Sequence, residues 1–162
     1  LSVPGIRETP LYYEPFVVYA DVNHEILKQK QVKLDELPIQ DLWLLGEGHC
    51  FRNQVMNLCR KQDLQDHTSR VQLKAGSIET LQRLVEFHRG ITLLPELATR
   101  GFSIERKQLI RHFKTPQPVR EISLLSHRSG LNRKLTAALV ETMQKVVPIS
   151  YLKNDPSQVV PL

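Results

Sequence analysis

Residues 77–95 read SIETLQRLVEFHRGITLLP, a helix followed at once by a strand. Ser77 is a good N-cap, and Glu79 places a negative charge in the first turn, where the helix dipole favours it. Ile78, Leu81, Leu84 and Val85 recur at three- and four-residue intervals and give one apolar face. His88 and Arg89 suit the last turn, and Gly90 is the C′ stop. Ile91–Leu94 then forms a short buried strand closed by Pro95.

The same alternation extends outward from this unit. Phe16–Ala20 (FVVYA) reads as a buried strand, Lys33–Leu37 as a single helical turn, and Leu42–Leu45 (LWLL) as the next buried strand. Phe51–Lys61 has helical spacing, Arg70–Lys74 alternates like a half-buried strand, and Leu97–Arg100 reads as a helical turn. Glu121–His127 is a further strand. Leu131–Val147 is a long amphipathic helix carrying Leu135, Leu139, Met143 and Val146, ended by Pro148, and residues 150–162 form a loose tail. Strands alternating with helices, several of them continuously apolar, predict an α/β domain whose parallel sheet is covered on both faces.

Bulk properties narrow the function classes. Of 162 residues, 41% are apolar and 24% charged, values ordinary for a soluble globular protein with a core that needs no staples. No apolar run approaches the roughly 20 residues that span a bilayer, and LSVPGIRETP lacks the regions of a signal peptide, so a cytoplasmic protein with no membrane partner is expected. The net charge of +5 is spread along the chain. Its densest cluster, Arg106, Lys107, Arg111, His112 and Lys114, reads either as a solvated surface or as a contact for a polyanion. No helix-turn-helix, zinc-finger spacing or P-loop is present.

The two cysteines carry the chemistry. Cys50 falls at the start of a helix in GEGHCFRNQ, where unpaired amides and the dipole stabilise a thiolate, and His49 and Arg52 add positive charge. Cys59 follows nine residues later. If residues 50–59 form one helix, about 1.5 Å of rise per residue separates the cysteines by roughly 13 Å, on opposite faces. A disulfide needs Cα atoms within about 7 Å, so the pair cannot bridge while that helix stands. Two unrelated buried cysteines, or a metal site of His49, Cys50 and Cys59, are the competing readings, the latter with too few ligands for a known pattern.

The segment GEGHCFRNQVMNLC resembles the redox loop of the OxyR-type hydrogen peroxide sensors of the LysR-type transcriptional regulator class. SIETLQRLVEFHRGITLLPELA is similar to that family's dimer helix and Gly-Ile-x-Leu-Leu-Pro strand, and EPFVVYADVNHEI to the strand entering its second subdomain. The resemblance spans about residues 3–147. It implies a periplasmic-binding-protein-like effector domain of two subdomains, the first incomplete here. Residues 1–14 and 120–147 would be parts of subdomain I, 15–119 subdomain II, and 148–162 a C-terminal tail.

The resemblance also implies roles for single residues. Cys50 would be the peroxidatic cysteine and Cys59 the resolving one, with His49, Arg52 and Arg120 around the thiolate and peroxide. Ile78, Leu81 and Phe87 would lie on the dimer helix. Asn53 stands where some relatives have an acid, and Gln72 and Leu73 where some have histidine and phenylalanine, so no role transfers to these three. The implied partners are hydrogen peroxide, further copies in a homodimer or homotetramer, and DNA through a domain outside this chain, with no cofactor or metal. The rival readings are a LysR-type effector domain for a small organic ligand and a thiol peroxidase enzyme. A rate-limiting refolding step argues against the enzyme.

Overall fold

A single long strand, β1 (Ile6–Ala20), runs through the whole molecule and changes partners half-way along. Residues 6–15 pair antiparallel with β5 (Val119–His127), with a register shift between Pro10 and Tyr12. Residues 16–20 pair antiparallel with β3 (Ile91–Pro95), and Val17–Tyr19 pair on the other edge with β4 (Ile110–Phe113). The short β2 (Gln31–Val32) adds to β4 in parallel, giving the order β2-β4-β1-β3. The helices are α1 (Cys50–Cys59), α2 (Ile78–His88), the one-turn α3 (Ile104–Lys107) and α4 (Arg133–Val146). The computed structural model describes residues 4–47, 49–59, 75–127, 133–152 and 158–161. The strand expected at Arg70–Lys74 lies outside them.

The mixed α/β class is as expected, but the predominantly parallel sheet is not. All three ladders of β1 are antiparallel. Continuous apolarity reports burial on both faces and says nothing about direction. Both faces are indeed covered. Phe16, Val18 and Ala20 enter one core with Phe51, Val55, Leu58, Leu81, Ile91 and Leu93, while Val17 and Tyr19 enter a second with Val85, Leu94 and Phe102. The alternation follows from the two-residue period of a strand.

Local signals placed α2 well. The Ser77 hydroxyl accepts the Thr80 N–H at 3.2 Å. Past the helix, Arg89 takes φ 60° and Gly90 φ 115°. A Cβ on Gly90 would stand 2.5 Å from the Asp41 carbonyl oxygen, which no side chain tolerates. The single turns appear as 3-10 turns at Leu34–Glu36 and Glu96–Thr99.

Three expectations need correction. Leu42–Leu45 makes no ladder: only Leu42 and Leu45 form isolated parallel bridges, to Ile91 and Ala75, and only Leu45 is buried. Most of the apolar stripe of α4 points outward, with Met143 half-buried. Arg133, Thr136, Ala137, Val140, Glu141 and Gln144 line a 660 Å³ cleft against the β1–β5 ribbon, leaving Leu135, Leu139 and Val146 exposed. The described residues of the expected loose tail are docked. Tyr151 is buried and donates to Glu96 Oε2 at 2.5 Å, and the Val160 N–H donates to the Val119 carbonyl at 2.9 Å.

Candidate functional site around helix α1

The first turn of α1 is tied back to the chain that precedes it. The Arg52 N–H donates to the His49 carbonyl at 3.0 Å, and its guanidinium Nη1 donates to the Leu45 carbonyl at 2.9 Å. Leu45 is itself fixed by its bridge to Ala75, and the Gly46 N–H donates to the Ala75 carbonyl at 3.1 Å. Arg52 therefore spans the glycine-containing turn and sets where α1 begins. That is a structural duty its sequence context did not reveal.

The helix buries Phe51, Gln54, Val55, Leu58 and Cys59 and turns Cys50 and Asn53 outward. Phe51 stacks on Phe16, centroids 5.6 Å apart, which pins the first turn to the point where β1 changes partners. Both cysteines are free thiols, Cys50 exposed and Cys59 only 1% exposed. Burial pushes the Cys59 thiol up to about 11, because its apolar surroundings penalise the thiolate. The two thiols thus differ in their access to solvent. They sit at opposite ends of an intact helix, about 13 Å of rise apart.

Arg120 reaches the same place from β5. Its guanidinium carbon lies 5.5 Å from the centre of the Phe51 ring, one residue from Cys50. Nε at 2.8 Å and Nη2 at 2.7 Å both meet Glu14 Oε2, while Glu14 Oε1 accepts the Leu97 N–H at 2.8 Å. Glu14 is wholly buried. Sequence reasoning missed it: a glutamate before Pro15 carries no local mark of burial, and its partner is far along the chain.

His49 is half-buried beside Cys50, its carbonyl capping the helix. On α2, Leu81 belongs to the core and is closed to any partner, Ile78 packs partly against both cores, and Phe87 is 79% exposed. Of the basic cluster, Arg106 is spent on Tyr19, Glu86 and Gln82, and Arg111 on the carbonyls of Leu27, Gln29, Gln108 and Ile110. Those two guanidiniums hold α2, α3 and β4 in place, which weakens the polyanion reading. Among the described residues, no group of three His, Cys, Asp or Glu side chains could hold a metal, and no helix is long and apolar enough to cross a membrane.

A second concavity, about 800 Å³, opens at the far end of β1 and is lined in part by Asp21, His24, Asp41, Trp43, His88 and Arg89. None of Cys50, Arg52 or Arg120 faces it.

Residues 1–148 match the family described as the LysR substrate binding domain. The chain belongs to that family. Among LysR-family proteins it is 33% identical over 145 residues to a probable hydrogen peroxide-inducible genes activator of Mycobacterium leprae, covering 87% of this chain and 46% of the relative. A protein of the same name from Streptomyces viridosporus is 33% identical over 160 residues, covering 95% of this chain and 50% of the relative. The chain thus spans about half the length of the curated relatives it matches. The crystal structure of reduced OxyR from Porphyromonas gingivalis superposes with a TM-score of 0.81 at 33% identity, covering 96% of this chain and 70% of that one. The mixed sheet with its helices is accordingly the periplasmic-binding-protein-like fold of LysR regulatory domains.

Proposed function

We propose that this chain is the sensing part of a hydrogen peroxide-responsive transcription regulator, with Cys50 as the reacting thiol and Cys59 as the resolving one. The observation that carries it is the pairing of an exposed thiol at a helix start with a buried thiol at the end of the same helix, in a chain similar to proteins named peroxide-inducible activators. The Cys50 thiolate attacks one peroxide oxygen; the O–O bond breaks, hydroxide leaves and takes a proton to become water, and Cys50 becomes a sulfenic acid. Cys59 then loses its proton and attacks the Cys50 sulfur. The S–S bond forms, the S–O bond breaks, and a second water departs. Because intact α1 keeps the sulfurs apart, the second step requires α1 to unwind, and that refolding is the signal. A thiol peroxidase would have to repeat this refolding at each turnover.

Arg120 and Arg52 supply positive charge near Cys50, and His49 adjoins it in the chain. The change of partners at Pro15 supports a division in which residues 15–119 form one subdomain and 1–14 with 120–147 contribute to the other. Self-association would use α2 through Phe87, and DNA would be bound by a part of the protein outside this chain. Free thiols suit the cytoplasm, where thiols are kept reduced.

Peptide mass spectrometry after one equivalent of hydrogen peroxide tests this reading. A Cys50–Cys59 disulfide, replaced in Cys59→Ser by a trapped sulfenic acid, is expected; two free thiols would overturn it. A small-molecule effector domain is the second reading, favoured by the 800 Å³ cleft. Thiol-independent ligand binding would single it out.

A further inference from the structure

The residues just before the C-terminus touch the cysteine helix directly. Asn57 Nδ2, in the last full turn of α1, donates to the Pro161 carbonyl at 3.2 Å. Val160 is 6% exposed and shares a core with Phe51, Val55, Leu58 and Cys59, the buried face of α1. Its N–H donates to the Val119 carbonyl, and Val159 bridges Val119 in parallel. Val119 precedes Arg120, whose guanidinium lies over Phe51 at the other end of α1. The segment 158–161 is thus joined to the last turn of the helix directly and to the first turn through β5. Further back, Tyr151 anchors the chain on Glu96 and stacks on Tyr12.

We propose that residues 158–161 are a latch on α1, so that the helix is stable only while the latch is docked and unwinding of α1 releases it. The physical reason is shared burial. Val160 lies in the core cluster that also holds Phe51, Val55, Leu58 and Cys59, so unwinding of α1 withdraws part of the apolar surface of that cluster. Coupling of this kind is reciprocal: what loosens the latch loosens the helix, and what unwinds the helix frees the latch. Its use as a redox output rests on the peroxide-sensing reading, in which Cys59 displaces water from the Cys50 sulfenic acid and α1 unwinds. The freed C-terminal segment is then a product of oxidation as direct as the disulfide.

Hydrogen exchange read by mass spectrometry tests the coupling in the reduced protein without reference to peroxide. Deleting residues 158–162, or the milder Val160→Ala, is expected to speed exchange of α1 amides about tenfold while α2 amides hold their protection. Unchanged α1 amides, or equal acceleration in α1 and α2, overturns the latch. In a second arm the intact chain receives one equivalent of hydrogen peroxide. The Val160 amide is expected to lose protection when the Cys50–Cys59 disulfide forms and to keep it in Cys59→Ser. A disulfide with Val160 still protected overturns the latch and leaves the sensor reading standing. No disulfide, with α1 still loosened by the deletion, overturns the sensor reading and supports the mechanical coupling.

Discussion

Glu14 and Arg120 are register partners on β1 and β5, and both Arg120 Nε and Nη2 close on the single oxygen Glu14 Oε2. The pair crosses the ribbon at the place where β1 leaves β5 for β3 and β4, and it fixes the guanidinium over Phe51. Breaking a buried pair by removing one partner costs about 3–5 kcal/mol, since the other charge stays buried. Glu14→Gln should therefore lower the urea midpoint sharply, and it also weakens the hold on the Leu97 amide. A Glu14→Gln/Arg120→Met double variant should recover part of the loss. A single variant as stable as the parent would show that the pair is not coupled to folding.

Cys59 gives the protein an alkaline weakness. Its folded-state pKa is raised by burial to about 11, above its unfolded value of about 8.5. The stability from this group is complete below pH of about 8.5 and falls as pH rises toward 11, because the unfolded chain loses the proton first. The loss across the window is on the order of 3 kcal/mol. Denaturant titrations at pH 7.5 and 9.5 should show the decline in the parent and not in Cys59→Ala. At pH 8, iodoacetamide should label Cys50 and spare Cys59 until the protein unfolds.

Helix strength should set the speed of switching. Asn53 is exposed on α1. Asn53→Ala raises helix propensity by about 0.6 kcal/mol, and Asn53→Gly lowers it by a few tenths. If unwinding limits disulfide formation, the alanine variant should form it roughly threefold more slowly and the glycine variant faster. Sulfenic acid formation, read in the Cys59→Ser background, should be the same in both. Equal disulfide rates would place the slow step elsewhere.

Strain is stored just after α2. Arg89 takes φ 60° with ψ 158°, a region nearly reserved for glycine, and is held there by the Trp43 indole N–H donating to its carbonyl at 2.7 Å. Arg89→Gly should relieve about 1 kcal/mol and raise the Tm by a few degrees. Gly90→Ala should do the reverse, since its Cβ meets the Asp41 carbonyl oxygen. Differential scanning calorimetry of the two variants decides both signs.

Phe87 is the exposed aromatic of α2. Phe87→Lys removes an apolar anchor without opening a cavity, so the Tm of a dilute sample should stay within about a degree. Sedimentation should show weaker self-association. An unchanged association constant would move the interface off α2.

Much of the site was legible along the chain because it depends on neighbours in sequence. The helical spacing from Phe51 and the place of Cys50 at its start were readable from local periodicity and helix-end electrostatics, and the structure forms that helix over Cys50–Cys59. The long-range partners around the helix were not legible. Arg52 also donates to the Leu45 carbonyl, Arg120 is paired with buried Glu14, and Leu81, expected on an interface helix, is core.

By itself the sequence determined the local elements: the capped helix after Ser77, its stop at Gly90, the buried runs Phe16–Ala20 and Ile91–Leu94, and two cysteines that one intact helix keeps apart. Propensity, capping and periodicity act over a few residues, so they can be read one segment at a time. Only the tertiary structure decided that β1 runs antiparallel to three partners, that α4 turns its leucines outward, that Glu14 lies against Arg120 106 positions away, and that Val160 docks under α1. Those outcomes depend on which distant surfaces exclude water together, and apolar burial has no direction of its own that a single segment could record.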